Sequence, residues 1–255
     1  MTYPSWFLEI VRCPETLGSL QFIDNCFVRS DGTRYPVIDG IPSLVFPRTI
    51  GEEDAKWQKF YDRFAPLYDL NERFLNRLLA GIDLPAERKR IVSLLDLKKG
   101  SRILEVSPGP GVFQAYIRER IGSNGEFAAL DLSLGMLKQC RRHRTLSVML
   151  VQGNGSYLPF ADESFDALFH FGGVNLFDNP ERALSEFVRV VRRGGIVSWG
   201  DEGFSPSLPD SWKKRFVAKM NPGYNKARLA KPLGLTTIKE FEVCGGYGYL
   251  TVANR

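Results

Sequence analysis

The sequence predicts an α/β protein built on a seven-stranded, mostly parallel sheet, preceded by a small β module. From residue 89 onward, short apolar strands alternate with helices whose apolar residues recur every three or four positions. This alternation is typical of a parallel sheet covered on both faces. The last two apolar runs are separated only by Gly245-Gly246, which is too short for a helical crossover. We therefore expect the sheet to end in an antiparallel hairpin.

The composition is that of an ordinary globular protein. The chain has 255 residues, of which 44% are apolar and 25% charged, with a formal net charge of +5. This length fits one sizeable core with a small appendage, and the mild basic excess does not by itself indicate nucleic-acid binding. Neither a signal-peptide pattern nor an apolar run of about 18 residues occurs, so we expect a cytoplasmic protein without a membrane span.

Three regions follow one another along the chain. Residues 1–47 combine short apolar runs with turn signals, which predicts the small β module. Residues 48–88 carry aromatic residues at spacings of three and four, which predicts a helical linker or lid. Residues 89–255 form the main domain.

The elements of the main domain follow from their apolar patterns. Strands are predicted at residues 102–106, 126–130, 148–151, 165–171, 196–199, 241–244 and 247–252. Helical stripes are predicted within residues 112–121, 133–140 and 179–191. Asn179 followed by Pro180 is a typical helix start, and we expect Gly194-Gly195 to end that helix.

The turn after the first of these strands has the composition of a ligand-binding loop. Residues 107–111 contain two glycines between a strand and a helix, where the backbone can approach a ligand and helix amides can meet an anion. Asp131 ends the next strand, where a carboxylate can accept both ribose hydroxyls. A dinucleotide fingerprint needs a third glycine where this chain has Gln114, so NAD is disfavoured and S-adenosyl-L-methionine is the alternative. A tight turn without a ligand is the competing interpretation.

Five ordered motifs between residues 103 and 202 resemble those of class I S-adenosylmethionine-dependent methyltransferases. The resemblance is to the type 11 group, which is similar to the ubiquinone and menaquinone C-methyltransferases. The motifs occupy residues 104–111, 130–137, 152–160, 162–166 and 186–195. The resemblance implies a Rossmann-like fold, S-adenosyl-L-methionine as the cofactor, and methyl transfer by in-line displacement.

The resemblance also implies which residues contact the cofactor. They are Tyr61, Tyr68, Glu105, Ser107, Gly109, Gly111, Asp131, Leu132, Asn154, Gly155 and His170. Residues 105–111 would lie against the methionine part, Asp131 would hold the ribose, and Leu132 would pack on adenine. Asn154 stands where the family usually has an aspartate that accepts a hydrogen bond from the adenine amino group. Tyr61 and Tyr68 would flank the sulfonium, although aromatic residues that only form core are the competing interpretation.

Polar side chains at the end of the fourth strand are candidates for catalysis. His170 is predicted at the carboxyl edge of the sheet, where ligands collect, and is the candidate base or substrate contact. A buried histidine that only shapes the pocket is the competing interpretation. Phe171 and Asn175 are candidate substrate contacts, and the acids Asp201 and Glu202, after the fifth strand, are the other candidate bases.

The first region resembles a known zinc-ribbon-like module, called Trm112-like, at residues 8–14 and 35–42. That module normally has two cysteine pairs, whereas Cys13 is the one obvious ligand candidate here. We therefore expect a degenerate fold without metal. In this position the module would form a wall of the cleft or the contact of a homodimer.

We expect a small-molecule acceptor, aromatic or lipophilic, and no nucleic-acid partner. Two alternatives stay open. Methylation of RNA or protein is suggested by the N-terminal module and by basic clusters such as residues 88–90, and a non-catalytic binding partner is suggested by the lost cysteines and by Asn154.

Overall fold

The structure, a computed structural model, describes residues 2–64, 82–142, 147–226 and 228–255. The strands are β1 (Gln21–Ile23), β2 (Cys26–Val28), β3 (Arg34–Ile38), β4 (Ile41–Pro42), β5 (Arg102–Val106), β6 (Glu126–Asp131), β7 (Met149–Gln152), β8 (Phe165–Phe171), β9 (Val191–Glu202), β10 (Thr236–Val243) and β11 (Gly248–Asn254). The helices are α1 (Ser5–Ile10), α2 (Glu52–Phe64), α3 (Leu84–Ser93), α4 (Gln114–Ile121), α5 (Leu134–Arg142), α6 (Pro180–Val190) and α7 (Trp212–Met220).

Seven strands form one sheet in the order β10-β11-β9-β8-β5-β6-β7. The pairs among β5, β6, β7, β8 and β9 are parallel. β11 runs antiparallel to both β9 and β10, which closes the sheet with a hairpin. The predicted Rossmann-like sheet with a terminal hairpin is confirmed. The strand order reverses at β5, so the turn that follows β5 lies at the switch point of the sheet.

Both faces of this sheet are buried, as the apolar strands predict. Successive residues of β5 point to opposite faces: Ile103 packs in a cluster with Ile117 of α4, and Leu104 packs in a cluster with Phe187 of α6. Each fully buried side chain of this size contributes roughly 1.5–3 kcal/mol through the hydrophobic effect. The two clusters hold the strand ends at fixed positions.

The first region forms a second sheet, an antiparallel meander in the order β1-β2-β3-β4. α1 precedes it, so the β module of residues 1–47 also contains a helix that its apolar pattern did not predict. Phe7 and Phe27 from this region lie in the same buried cluster as Leu104 of the large sheet. The small sheet and the large sheet therefore share one core.

Backbone hydrogen bonds also join the two sheets. The Arg12 amide donates to the Pro159 carbonyl at 2.9 Å, and the Leu44 amide donates to the Gln152 carbonyl at 2.8 Å. Cys13 is buried, with its Sγ 3.2 Å from the Tyr35 hydroxyl. The loss of a metal and the Trm112-like character of this region stay predictions.

The helix before β9 is shorter than predicted. α6 ends at Val190, and Val191 has an extended backbone with φ −85° and ψ 136° that pairs with Phe165. Gly194, at φ +75°, lies in the irregularity after which the pairing of β9 resumes at Ile196. Val191 is β-branched and fully buried against the sheet, which stabilises a strand rather than another helical turn.

The linker region begins with α2, as its aromatic spacing predicts. The predicted continuation beyond Phe64, including Tyr68, lies outside the described residues. The predicted boundary after residue 88 falls inside α3. In the parts of the chain that the structure describes, none of the helices has the length and apolarity needed to cross a membrane.

Candidate active site

A cavity of about 360 Å³ opens at the carboxyl ends of the parallel strands, at the switch point of the sheet. The segments that follow β5, β6, β7, β8 and β9 all contribute to its wall. α2 forms a further wall, and Tyr224 and Tyr247 close the end near β9. The cavity therefore lies where the sequence predicts the ligand site.

The loop after β5 approaches the cavity with its backbone. Ser107 and Gly109 have φ values of +55° and +54°, and an added Cβ at Gly109 would meet no atom within 4 Å. Both residues line the cavity, whereas Gly111 does not. A Cβ at Gly111 would lie 2.9 Å from Gln114 Oε1, so this glycine permits close packing of the helix that follows.

Two buried acids line the same end of the cavity. Asp131 accepts hydrogen bonds from the amides of Ser133 at 2.9 Å and Gly109 at 3.2 Å, and burial raises its pKa to about 7. Burial raises the pKa of Glu105 to about 8, and its Oε2 has no hydrogen-bond partner among the described residues. Gln114, where the dinucleotide fingerprint fails, hydrogen-bonds to Glu105. Both acids keep acceptor capacity for a ligand with hydrogen-bond donors.

One face of α2 covers this end of the cavity. Asp54, Trp57, Gln58 and Tyr61 line it at the spacing of a helical face. Gln58 donates to the carbonyl of Leu132, a predicted adenine contact that also lines the cavity, at 3.0 Å. The pKa of Tyr61 is raised by burial and by the nearby charges of Glu202, Asp131 and Asp201. Tyr61 therefore lies in the wall of the cavity within range of acids at both ends.

Asn154 lines the cavity but does not stand alone. Its Nδ2 donates to Asp54 Oδ2 at 2.9 Å, and its Oδ1 accepts from the Ser156 amide at 2.9 Å. Gly155 also lines the cavity, and a Cβ there would lie 2.6 Å from the Phe177 ring. The family usually has an aspartate at the position of Asn154. Here Asp54 of α2 supplies a carboxyl group next to that position.

His170 lies behind the wall of the cavity rather than in it. The side chain is fully buried, its ring lies against Phe177 and Phe187, and its Nδ1 is 3.0 Å from the Val106 carbonyl. Burial lowers its pKa to about 4, so the imidazole is neutral at physiological pH. Phe171, the next residue on the strand, lines the cavity. The placement favours the competing interpretation, in which His170 shapes the pocket.

A pair of carboxyl groups lies at the end of the cavity that is formed by β9. Asp201 accepts from the amides of Gly173 at 3.0 Å, Asn175 at 2.8 Å and Glu202 at 2.9 Å. Burial, together with the neighbouring carboxyl of Glu202, raises the pKa of Asp201 to about 9. Asn175, a predicted substrate contact, is buried in the wall and does not line the cavity.

The second acid of the pair is only partly satisfied. Glu202 Oε1 accepts from Asn221 at 3.1 Å, whereas its buried Oε2 accepts no hydrogen bond from the described residues. Burial and the neighbouring Glu202 carboxyl both favour the protonated form of Asp201. Glu202 Oε2 therefore offers a free hydrogen-bond acceptor at this end of the cavity, since no described residue donates to it.

Comparison with known proteins identifies the family. A family model described as a methyltransferase domain matches residues 104–198. A demethylmenaquinone methyltransferase of Listeria monocytogenes is 30% identical over 170 residues, which cover 65% of this chain and 69% of that protein. The chain belongs to the class I S-adenosylmethionine-dependent methyltransferases. A second demethylmenaquinone methyltransferase, from Corynebacterium kroppenstedtii, is 35% identical over 150 residues, which cover 59% of this methyltransferase and 61% of that protein.

Solved structures agree with this assignment at the level of the fold. An S-adenosylmethionine-dependent methyltransferase of Aquifex aeolicus matches with a TM-score of 0.51 and 18% identity, covering 80% of this methyltransferase and 98% of that chain. The cyclase SpnF matches with a TM-score of 0.56 and 18% identity, and the match covers 81% of this methyltransferase and 97% of the SpnF chain. Because one of these is named a cyclase, the shared fold alone does not specify a reaction. S-Adenosyl-L-methionine is the cofactor that the family indicates.

Several cavity residues of this methyltransferase were not predicted from the sequence. They include Asp54, Trp57, Gln58, Tyr224 and Tyr247. The spacing of Trp57 and Tyr61 could have indicated the residues of α2. Asp54 and Gln58 also lie three or four positions from these aromatic residues, and therefore on the same face of α2. The positions of Tyr224 and Tyr247 carry no comparable pattern.

Proposed function

We propose that this methyltransferase acts on a small hydroxylated aromatic acceptor of the quinol type. The observation that carries this proposal is the carboxyl pair Asp201–Glu202 at one end of a cavity with many aromatic walls. A hydroxyl group on an aromatic ring becomes a strong nucleophile, at oxygen or at a ring carbon, once its proton has left. The relatives named as demethylmenaquinone methyltransferases support the same class of acceptor.

The cofactor belongs, in this proposal, at the opposite end of the cavity. The free Oε2 of Glu105 suits the ammonium group of an amino-acid tail, and Asp131 suits two ribose hydroxyls. The open backbone at Gly109 admits the chain between them. Asp54 and Asn154 lie together at the corner assigned to the adenine amino group, where the Asp54 carboxyl replaces the family's aspartate. The residues present therefore fit this cofactor.

The chemistry needs little from the protein beyond alignment and removal of a proton. When bound, S-adenosyl-L-methionine supplies an electrophilic methyl group on a sulfonium. Glu202 would accept the hydroxyl proton of the acceptor, which would leave the acceptor as a nucleophile aligned for in-line displacement. Asp201, held by three backbone amides, keeps its own proton and fixes the position of Glu202. Tyr61 lines the cavity and would help to exclude water.

The proposal is tested by an acceptor screen with the full chain. The enzyme would be incubated with S-adenosyl-L-methionine and, separately, a short-chain naphthohydroquinone, a phenol, a primary amine, total RNA and a protein mixture. We expect S-adenosylhomocysteine to form with the hydroquinone, with a product heavier by one CH₂ by mass spectrometry. Methylation confined to the amine, the RNA or the protein would contradict the proposal, and so would cofactor binding without transfer to any acceptor.

A further inference from the structure

α7 (Trp212–Met220) presents an apolar stripe to solvent. The stripe consists of Trp212, Phe216 and Met220, whose exposed fractions are 62%, 42% and 69%. These side chains are four residues apart, so they lie in one row along the helix. Large apolar side chains exposed in a continuous row mark a surface that another phase or molecule covers.

Basic side chains flank this stripe on both sides. At 100° per residue, Arg215 and Lys219 lie along one edge and Lys213 lies along the other. No acidic residue occurs within the helix. Asp210, just before the helix, pairs with Arg215 at 2.8 Å, but both side chains are largely exposed and such pairs are weak.

The opposite face of α7 belongs to the cavity. Val217 lines the cavity, and Lys214 lies over the Phe204 ring with its Nζ 5.1 Å from the ring centroid. Asn221, directly after the helix, holds Glu202 Oε1. One side of α7 therefore covers the end of the cavity that holds the carboxyl pair, while the other side carries the exposed stripe.

We propose that α7 docks this methyltransferase on the surface of an anionic lipid bilayer. The helix would lie in the plane of the interface, with Trp212, Phe216 and Met220 at the boundary between headgroups and acyl chains. Lys213, Arg215 and Lys219 would lie beside lipid phosphates, which a basic rim around an apolar stripe complements in charge. Three side chains on a nine-residue helix are few for a stable protein–protein interface, whose partners each contribute about 800 Å², so a lipid surface is the favoured occupant.

This inference goes beyond the proposed function and does not depend on the identity of the acceptor. It places the end of the cavity that α7 covers close to a bilayer. The measurements below follow binding to lipid rather than methyl transfer, so failure of the acceptor screen would leave them unaffected.

The test is co-sedimentation of the full chain with vesicles of phosphatidylcholine alone or with added phosphatidylglycerol. We expect binding to the anionic vesicles, weakened by high salt. The variant Trp212→Ser/Phe216→Ser/Met220→Ser is expected to bind at least about tenfold more weakly. The variant Lys213→Gln/Arg215→Gln/Lys219→Gln is expected to lose the preference for phosphatidylglycerol. Leu233→Ser is the matched control, because Leu233 is 95% exposed but lies outside α7.

Tryptophan fluorescence gives a second measurement. Trp212 is the highly exposed tryptophan, whereas Trp199 is buried, so anionic vesicles should shift the emission to shorter wavelength in the native chain and not in Trp212→Phe. The inference is overturned if the native chain does not bind vesicles, or if the triple serine variant binds equally well. It is also overturned if that variant lowers the thermal midpoint without vesicles or breaks a dimer, because the stripe would then cover another part of this chain or a second copy.

Discussion

The two ends of the cavity use buried acids in different ways. At the proposed cofactor end, Glu105 and Asp131 belong to different strands, and two backbone amides donate to Asp131. At the proposed acceptor end, Asp201 and Glu202 are neighbours in the chain, and three backbone amides donate to Asp201. Separate acids with free acceptor sites suit binding of a ligand's hydroxyl and ammonium groups. Two adjacent carboxyl groups, one of them with a free acceptor oxygen, suit the uptake of a proton from a bound hydroxyl group.

The supporting elements explain this difference. The cofactor end is formed by the turn after β5, the ends of β6 and β7, and α2, which packs across them. The acceptor end is formed where the loop after β8 turns its amides toward Asp201, with Gly172 and Gly173 at φ +94° and +93°. Substitutions at the two ends should therefore separate binding of the cofactor from the rate of the chemical step.

The largest effect is expected at the acceptor end. Glu202→Gln removes the proposed proton acceptor but keeps a similar shape, so kcat should fall by about 10²–10³. The dissociation constant for S-adenosyl-L-methionine, measured by isothermal titration, should change by less than about twofold. Glu9→Gln, on an exposed face of α1, is the matched control. An unchanged kcat would remove Glu202 from its proposed role.

A smaller effect, on binding alone, is expected at Asp131. Asp131→Asn removes the charged acceptor for the ribose hydroxyls, and charge-assisted hydrogen bonds contribute about 1.5–3 kcal/mol each. We expect the dissociation constant for S-adenosyl-L-methionine to rise about a hundredfold, while the thermal midpoint of the free protein above pH 7 stays the same or rises, because a buried charge is lost. Asp96→Asn, in an exposed pair with Lys98, is the control. Full affinity in Asp131→Asn would place the ribose elsewhere.

The pH dependence of cofactor affinity follows from the same residue. The pKa of Asp131 in the free protein is raised to about 7, and the carboxylate is the form that accepts both hydroxyl donors. As the pH falls below about 7, a growing fraction must lose a proton before binding, so affinity should weaken by up to about tenfold per pH unit. Titration calorimetry from pH 6 to pH 8 measures this slope. Asp131→Asn should flatten this slope of affinity against pH. An equally steep slope in that variant would show that another group, such as Glu105, causes the pH dependence.

The adjacent residues Asn154 and Asp54 allow a carboxyl group to be moved from one side chain to the other. Asn154→Asp restores the family's usual aspartate but places a second carboxyl beside Asp54, whose oxygen now lies 2.9 Å from the Asn154 amide nitrogen. Like charges at this distance repel, so we expect about fivefold weaker binding of S-adenosyl-L-methionine. Adding Asp54→Asn should restore affinity, which a double-mutant cycle measures as coupling. Additive effects would show that the two side chains do not act together.

The smallest catalytic effect is expected at His170. His170→Asn keeps an amide donor near the Val106 carbonyl, so kcat should stay within about twofold and the pH profile should not shift. Stability should fall, because the ring packed against Phe177 and Phe187 is lost, at a cost of about 1–3 kcal/mol. Thermal unfolding and kcat would be measured together. A hundredfold loss of kcat with normal cofactor affinity would make His170 the base.

Most of the fold could be predicted because periodicity is a local property. The five parallel strands, the terminal hairpin and the turn after β5 all follow from apolar runs and glycines in sequence order. Gly194-Gly195 misled the prediction of the end of α6, because a glycine at positive φ can kink a strand as well as end a helix. The site was predictable where residues follow a strand directly, as at Ser107, Gly109 and Asp131.

The remaining site residues depend on contacts between distant segments. The sequence places His170 and Phe171 at the same strand end, but the pleat of β8 turns only Phe171 toward the cavity. Asp54 is a hundred positions before Asn154, and the packing of α2 across the sheet brings their side chains together.

The sequence by itself determined the alternation of strands and helices in the main domain, the terminal hairpin, and the glycine turn with its acids, since each depends on neighbours in the chain. Only the tertiary structure decided that His170 lies behind the wall, that Asp54 contacts Asn154 and that amides of the loop after β8 donate to Asp201. Burial and amides from other loops set those properties, and no local pattern encodes them.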